Sequence, residues 1–180
     1  MLDELVKLDV GFNEASFKSY IDNVFVKLFT AVMLNEVPNV RHFLSDEVYS
    51  EYEKISADNS ARGVIQMYDE LNVKSSNITG VSITDDEFRI EVLLVSRYMD
   101  YLLDSDSGDV ISGDNTSRIE VRYKLIFTKK RQFLQQGVVR KCPGCGASIS
   151  VNTKGVCEYC GALYNMSDYN YILSSITRIS

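Results

Sequence analysis

The chain has 180 residues, of which 45% are apolar and 24% charged, a composition typical of soluble globular proteins. This length allows one domain with a hydrophobic core and a small accessory module. Neither a membrane-length apolar run nor a signal-peptide pattern is present, so we expect a cytoplasmic protein. The net charge of -6 argues against general nucleic-acid binding.

The first predicted element is a long helix over residues 14–34. Asn13 is a suitable N-cap, and Glu14 in the first turn suits the helix dipole. The apolar residues of this segment are spaced by three and four and form one wide stripe: Phe17, Tyr20, Ile21, Val24, Phe25, Leu28, Phe29 and Val32. Such a stripe is typical of a helix that covers a sheet.

Shorter helices are predicted next. Pro38 interrupts the pattern, and a helical turn over residues 40–44 is expected to follow. Ser45 then has the chemistry of an N-cap for a helix ending at about Ala57. Residues 58–63 are predicted to form a loop, and residues 64–71 another short helix.

From Asn72 the apolar period changes to two, which indicates strands. We predict strands over residues 77–84, 88–103, 117–127, 134–141 and 169–179. Turns are predicted at residues 104–109 and at Gly113-Asp114-Asn115. Helices followed by an antiparallel sheet predict an α+β fold, with the N-terminal helices packed on a strongly curved, cone-shaped sheet that leaves a pocket at its open end.

The four cysteines of the chain form two CxxC pairs, Cys142 with Cys145 and Cys157 with Cys160. One tight turn can present both sulfurs of a pair to the same ion, and eleven residues between the pairs suit a hairpin with one such turn at each end. Four thiolate ligands leave no coordination position for substrate. The spacing therefore predicts a structural zinc ion in a compact zinc ribbon.

Two alternatives use the same cysteines. Iron can occupy four thiolates, and CxxC pairs also form thiol–disulfide redox centres. The redox interpretation expects one pair at the start of a helix within a βαβ unit, a pattern not seen in this sequence. We predict that the ribbon spans residues 142–164 and is inserted into a domain formed by residues 1–141 plus 165–180.

Charge is unevenly distributed along the chain. Residues 1–120 hold 23 acidic and 10 basic residues, whereas residues 121–180 hold 2 acidic and 9 basic ones. The basic residues of the second part form a candidate anion-facing surface: Arg122, Lys124, Lys129, Lys130, Arg131, Arg140 and Lys141. Basic side chains on the wet face of strands are the alternative explanation.

An enzymatic alternative rests on one predicted strand. Alternation from Phe88 places Tyr98 and Asp100 at the end of an apolar row, where burial would raise the carboxyl pKa and create an acid/base pair for an isomerase or dehydratase. The competing interpretation is that Tyr98 packs in the core and Asp100 meets solvent. A nucleic-acid-binding ribbon is disfavoured, because Lys154 is the only basic residue between the cysteine pairs.

Several segments resemble the Tim44-like domain, the C-terminal domain of the mitochondrial import-motor scaffold. They are residues 43–49 (FLSDEVY), 97–101 (RYMDY), 111–114 (ISGD) and 123–127 (YKLIF). The cysteine turns followed by a closing strand at residues 171–176 resemble bacterial versions of the family that carry a zinc ribbon.

This resemblance implies a fold like that of nuclear transport factor two, with a cone-shaped sheet and a pocket. It also implies a non-catalytic, membrane-peripheral scaffold that binds protein partners and anionic lipid headgroups. If the chain shares that membrane association, its place is the cytoplasm at the inner face of the membrane.

Overall fold

The structure is a computed structural model that describes residues 2–131, 141–142, 144–148, 156–162 and 170–180. Its helices are α1 (Leu2–Leu8), α2 (Glu14–Met33), a 3-10 helix (Val37–Phe43) and α3 (Asp46–Ala61). Its strands are β1 (Val64–Ile83), β2 (Glu87–Asp104), β3 (Val110–Lys130) and β4 (Ile172–Arg178). Most of the strand predicted at residues 134–141 lies outside the described residues.

The predicted caps of the two long helices are confirmed. The Asn13 side chain accepts a hydrogen bond from the Ser16 N–H at 2.9 Å, and α2 begins at the next residue. The Ser45 hydroxyl accepts from the Val48 N–H at 3.3 Å at the start of α3. This second helix runs to Ala61, past its predicted end, so the segment predicted as a loop is largely helical.

The prediction of a short helix at residues 64–71 is wrong, because this segment is the first part of β1. It pairs with the end of β2, with Val64 opposite Asp104 and Tyr68 opposite Asp100. Apolar spacing in so short a segment fits a helix and a strand equally well. Pairing with β2 residues that lie 30 to 40 positions further along the chain makes this segment a strand.

The prediction of a turn at Gly113-Asp114-Asn115 is also wrong, since β3 continues through these residues as a strand with a bulge. Pairing with β2 passes from Asp100 opposite Asp114 to Tyr98 opposite Ile119, so several β3 residues bulge out of the ladder. Gly113 lies beside the bulge with φ +84°, a left-handed conformation that favours glycine.

Replacement of Gly113 by alanine is expected to destabilise the domain by about 2 kcal/mol. An added Cβ would lie 2.3 Å from the Asp100 carbonyl oxygen, in addition to the strain of a positive φ. Urea unfolding measures the loss. Gly108→Ala is the matched control, because Gly108 has φ +76° and no heavy atom within 4 Å of the added Cβ. An equal loss in both variants would show that the close contact contributes nothing.

The four strands form one antiparallel sheet in the order β1-β2-β3-β4. The helices pack on one face of this sheet, where Phe25 and Leu28 of α2 share one buried core with Leu94 of β2 and Leu125 of β3. Helix α1, which the sequence pattern did not predict, adds the fully buried Leu5. The predicted α+β fold class is confirmed.

Candidate metal centre

Two short turns present the four cysteines. In the first turn the Gly146 N–H donates to the Cys142 carbonyl at 2.9 Å, and the Cys142 N–H donates to the Ala147 carbonyl at 2.8 Å. The second turn, residues 157–162, repeats both hydrogen bonds at 2.9 Å each. Gly146 has φ +71° and Gly161 φ +72°, so both turns end in the same left-handed conformation.

This structural repeat corresponds to a sequence repeat, CxxCGA, at residues 142–147 and 157–162. The alanine of each copy supplies the carbonyl that closes its turn, a role that cysteine spacing alone does not reveal. Lys141 and Ser148 flank the first copy and form an antiparallel bridge. The two halves of the site are thus built in the same way.

The sulfur positions fit a tetrahedral metal ion. All four Sγ atoms lie within 4.8 Å of one another. The Cys142 and Cys160 sulfurs are 3.6 Å apart, and those of Cys145 and Cys157 are 3.9 Å apart. Disulfide sulfurs lie about 2.05 Å apart, whereas sulfurs bonded at about 2.3 Å to a central tetrahedral ion lie about 3.8 Å apart. These four residues could therefore hold one metal ion.

Hydrogen bonding shifts the pKa values of two of the thiols in opposite directions. Backbone hydrogen bonds, chiefly from Cys145 and then from Gly144, lower the pKa of the Cys142 thiol to about 6. The Ala162 N–H lowers the pKa of Cys160, but the thiols of Cys145 and Cys142 outweigh it and raise that pKa to about 12. Thiols this close compete for their protons, and a bound cation relieves the repulsion between thiolates.

The centre lies partly at the surface. Cys142 and Cys157, the first cysteine of each turn, are buried, whereas Cys145 and Cys160 are exposed. Because the four cysteines already supply a full tetrahedral set, a metal bound here has no position for a reacting water. The arrangement is chemically suited to holding the two turns together.

The interior of the main domain contains the candidate residue Tyr98, which is fully buried. Its hydroxyl lies 2.5 Å from that of Tyr123, and its ring meets the Tyr68 ring edge-on at 5.4 Å. Burial raises the pKa of Tyr98 and of Tyr123 above the usual value for tyrosine. Both phenols therefore stay protonated at neutral pH and pack as core residues.

Asp100 lies just past the bulge that follows Tyr98, and it is partly exposed. Gln66 donates a hydrogen bond to its carboxylate at 2.9 Å, and an Arg178 guanidinium nitrogen lies 3.6 Å from its other oxygen. The carboxylate thus links β1 and β4 across the end of the sheet. These contacts are those of a structural residue, and an acid/base role for the two residues stays a prediction.

Tyr98→Phe is expected to destabilise the domain by about 1 kcal/mol, because it removes one buried hydrogen bond and leaves the Tyr123 hydroxyl without this partner. Urea unfolding with intrinsic tyrosine fluorescence measures the change. Tyr68→Phe is the matched control, since its hydroxyl forms no hydrogen bond to another described residue, and it is expected to change stability by less. If Tyr68→Phe destabilised the domain more than Tyr98→Phe, the hydrogen bond between the Tyr98 and Tyr123 hydroxyls would not explain the loss of stability.

The residues of the predicted anion-facing surface lie in different surroundings. Lys124 pairs with Glu91 at 3.0 Å, and Arg131 donates to the Thr84 carbonyl at 3.0 Å. Arg140 lies outside the described residues. Three further side chains are exposed: Arg122, Lys130 and Lys141. Anion binding by this set stays a prediction.

Lys129, the remaining member of that set, points into a polar cluster. Its ammonium lies 2.8 and 3.0 Å from the two carboxylate oxygens of Asp9, which also accepts from the Tyr171 hydroxyl at 3.0 Å. The Tyr20 hydroxyl donates to the Tyr171 carbonyl at 2.5 Å. This cluster joins the α1–α2 connection to β3 and to the residue before β4. Sequence reasoning missed it, because Asp9 and Lys129 are 120 residues apart.

Within the described residues, no helix has both the length and the apolar character needed to cross a bilayer.

Comparison with known proteins gives a family. No curated protein matches the chain. Among solved structures, the intermembrane space region of the chloroplast protein ARC6 is similar, with a TM-score of 0.46 and 9% identity over 91% of this chain and 96% of that chain. The Tim44-like domain model matches residues 1–137, more than half of the chain, and ends before Cys142. The resemblance seen in the sequence is therefore confirmed, and the chain belongs to the Tim44-like domain family.

Proposed function

We propose that this chain is a non-catalytic binding or scaffold domain whose cysteine turns are held together by one structural zinc ion. The observation that carries the metal assignment is the set of sulfur separations, 3.6 and 3.9 Å between the turns, which match a four-thiolate site. Zinc would be held by Cys142, Cys145, Cys157 and Cys160, and it would supply folding energy to the ribbon. Iron is the alternative metal.

The domain boundaries follow from this assignment. We propose an inserted ribbon at residues 142–164 and a body formed by residues 1–141 plus 165–180. The strands on either side of the insertion, β3 and β4, are neighbours in the sheet, with Leu125 opposite Ile176. An insertion between paired strands leaves the sheet order undisturbed.

The non-catalytic part of the proposal is supported by how the interior is filled. Aromatic rings from α2, β1, β2 and β3 pack against one another in the interior, with the Phe29 ring centroid 4.6 Å from that of Tyr68 and 5.6 Å from that of Tyr123. These rings contribute to the packing of the core. Burial raises the pKa of the Tyr68 and Tyr123 hydroxyls, so both stay protonated at neutral pH. Membership of the Tim44-like family is consistent with a binding role.

A protein is the proposed partner, and the proposed location is the cytoplasm, where a reducing environment maintains thiolates for metal binding. Anionic lipid headgroups at the inner face of the membrane are a second candidate ligand, supported by the exposed side chains of Arg122, Lys130 and Lys141. Co-sedimentation with vesicles that contain anionic lipid tests this second ligand. Binding that persists at high salt, or is equal for neutral vesicles, would contradict it.

The metal assignment is tested on protein purified without added zinc or chelator. Elemental analysis is expected to give about one zinc per chain, and the thiols are expected to react only after denaturation or chelation. Iron in place of zinc would change the metal and leave the structural role intact. Metal-free protein whose cysteines cycle reversibly between thiols and disulfides would overturn the proposal and indicate a redox function.

A further inference from the structure

A groove of about 450 Å³ lies between α3 and β4. One wall is the start of α3, which contributes Glu47, Val48 and Glu51, and the floor is the 174–178 segment of β4. We call this feature the α3–β4 groove. It is separate from the metal centre and from the tyrosine-lined interior described above.

The floor of the groove is the outer edge of the sheet. At one end of it, Leu44 forms a parallel bridge with Leu173, and the Ser45 N–H donates to the Leu173 carbonyl at 3.0 Å. At Ser45 the chain turns into α3, and in the described part of the chain no strand pairs with residues 174–178 on this side. Alternate backbone groups of an edge strand point outward. This edge therefore already pairs with one extended segment and has room for more.

The groove carries unbalanced negative charge. Glu47 and Glu51 are exposed, lie one helical turn apart and form no ion pair with another described residue. Arg178, at the far end of the groove, forms an ion pair with the Asp100 carboxylate at 3.6 Å, so it does not pair with Glu47 or Glu51. Two carboxylates thus face a strand edge that offers backbone hydrogen bonds.

We propose that the α3–β4 groove binds an extended basic segment of a protein partner, which adds to the sheet as a fifth strand beside β4. This inference rests on the proposed binding function and gives it a location and a ligand chemistry. Side chains at alternate positions of a strand lie on one face about 6.8 Å apart, close to the 5–6 Å spacing of residues four apart on a helix. Lysine or arginine at alternate positions of the segment would therefore meet Glu47 and Glu51.

A short synthetic peptide tests the proposal on the full zinc-loaded chain. The probe is acetyl-Val-Lys-Thr-Lys-Val-amide at low ionic strength, with amide hydrogen exchange followed by NMR. Protection is expected at the outward-facing amides of residues 174–178. The same peptide with glutamates in place of lysines is expected to bind at least tenfold more weakly, and a version with alternate backbone nitrogens methylated is expected not to bind, because it cannot complete the ladder.

Variants of the protein test the same contact from the other side. Glu47→Gln combined with Glu51→Gln keeps the shape of the groove and is expected to weaken binding about five- to tenfold at low salt. Glu53→Gln is the matched control: Glu53 lies on the same helix outside the groove, and a glutamine can still accept the hydrogen bond of the Tyr49 hydroxyl. Binding to this control is expected to change less than twofold.

The proposal fails if the residues 174–178 gain no protection, if the methylated or glutamate peptides bind as well as the probe, or if the groove variant binds normally. It also fails if sedimentation shows that the native chain dimerises and the Glu47→Gln, Glu51→Gln variant does not, because a second copy would then be the occupant of the groove. A partner captured equally by the native chain and by the Glu47→Gln, Glu51→Gln variant would leave the binding function standing and refute the groove as its site.

Discussion

Cys145→Ser is expected to reduce bound zinc from about one ion per chain to near zero, because a serine hydroxyl is a poor substitute for a thiolate ligand. Zinc binding supplies about 10–16 kcal/mol in structural four-ligand sites at neutral pH, so the loss of one ligand removes most of what holds the ribbon together. Elemental analysis measures the metal. Thiol titration under native conditions is expected to find the three remaining cysteines reactive.

The same substitution is expected to leave the main domain folded. Among the described residues, the buried core cluster of that domain contains no cysteine. Loss of the metal lengthens the effective connection between Lys130 and Ile172 by the segment from Cys142 to Cys160, less than a doubling, which costs about 0.5 kcal/mol in loop entropy. The urea midpoint of the main domain should therefore change little.

Tyr159→Ala is the matched control for the metal site. Tyr159 lies in the second turn between two ligands, is 74% exposed and supplies no ligand atom, so this variant should keep its zinc. Global unfolding of Cys145→Ser would show that the ribbon and the main domain fold as one unit. Full zinc retention in Cys145→Ser would contradict the four-cysteine assignment itself.

Lys129→Met is expected to destabilise the domain by about 3–5 kcal/mol, because it leaves the Asp9 carboxylate buried without its cation. The side chains of Asp9 and Lys129 are only 9% and 19% exposed, and their shortest contact is 2.8 Å. The Tyr171 hydroxyl still donates to Asp9 in this variant but does not neutralise the charge. Urea unfolding followed by circular dichroism measures the loss.

Two further variants separate charge from packing. Asp9→Asn in the Lys129→Met background removes the unpaired charge, keeps an oxygen that can accept from Tyr171, and is expected to recover part of the stability. Lys124→Met, on the same strand, breaks an exposed pair with Glu91 and is expected to lose less than 1 kcal/mol. Equal losses of stability for Lys129→Met and Lys124→Met would show that burial of the Asp9–Lys129 pair does not increase its contribution to stability.

Local signals in the sequence were sufficient for the long elements. The cap at Asn13 and the three-and-four spacing after it defined α2 almost to the residue, and strict alternation from Phe88 defined the core face of β2. These signals are strong because each repeats over many residues. The two CxxC pairs likewise defined a candidate ligand set, because their spacing is a property of one short turn.

Features set by distant partners could not be predicted in this way. Residues 64–71 are a strand only because β2 lies beside them, and Gly113 continues a strand only because the bulge places it against Asp100. The sequence pattern groups Lys129 with the candidate anion-facing residues and does not reveal its ion pair with Asp9, near the start of the chain. In each case the deciding contact is formed by the fold, and no local pattern encodes it.

The sheet has a second edge, β1, and it is irregular. The register of β1 against β2 shifts three times, between Asp69 and Asn72, Val73 and Ser75, and Ile78 and Gly80. Glu70, at the first shift, has φ +52°. A strand from another molecule could follow such an edge for only a few residues before losing register. Growth of the sheet by strand addition is therefore one-sided, so an assembly formed at β4 stops at a finite size and does not propagate into a fibre.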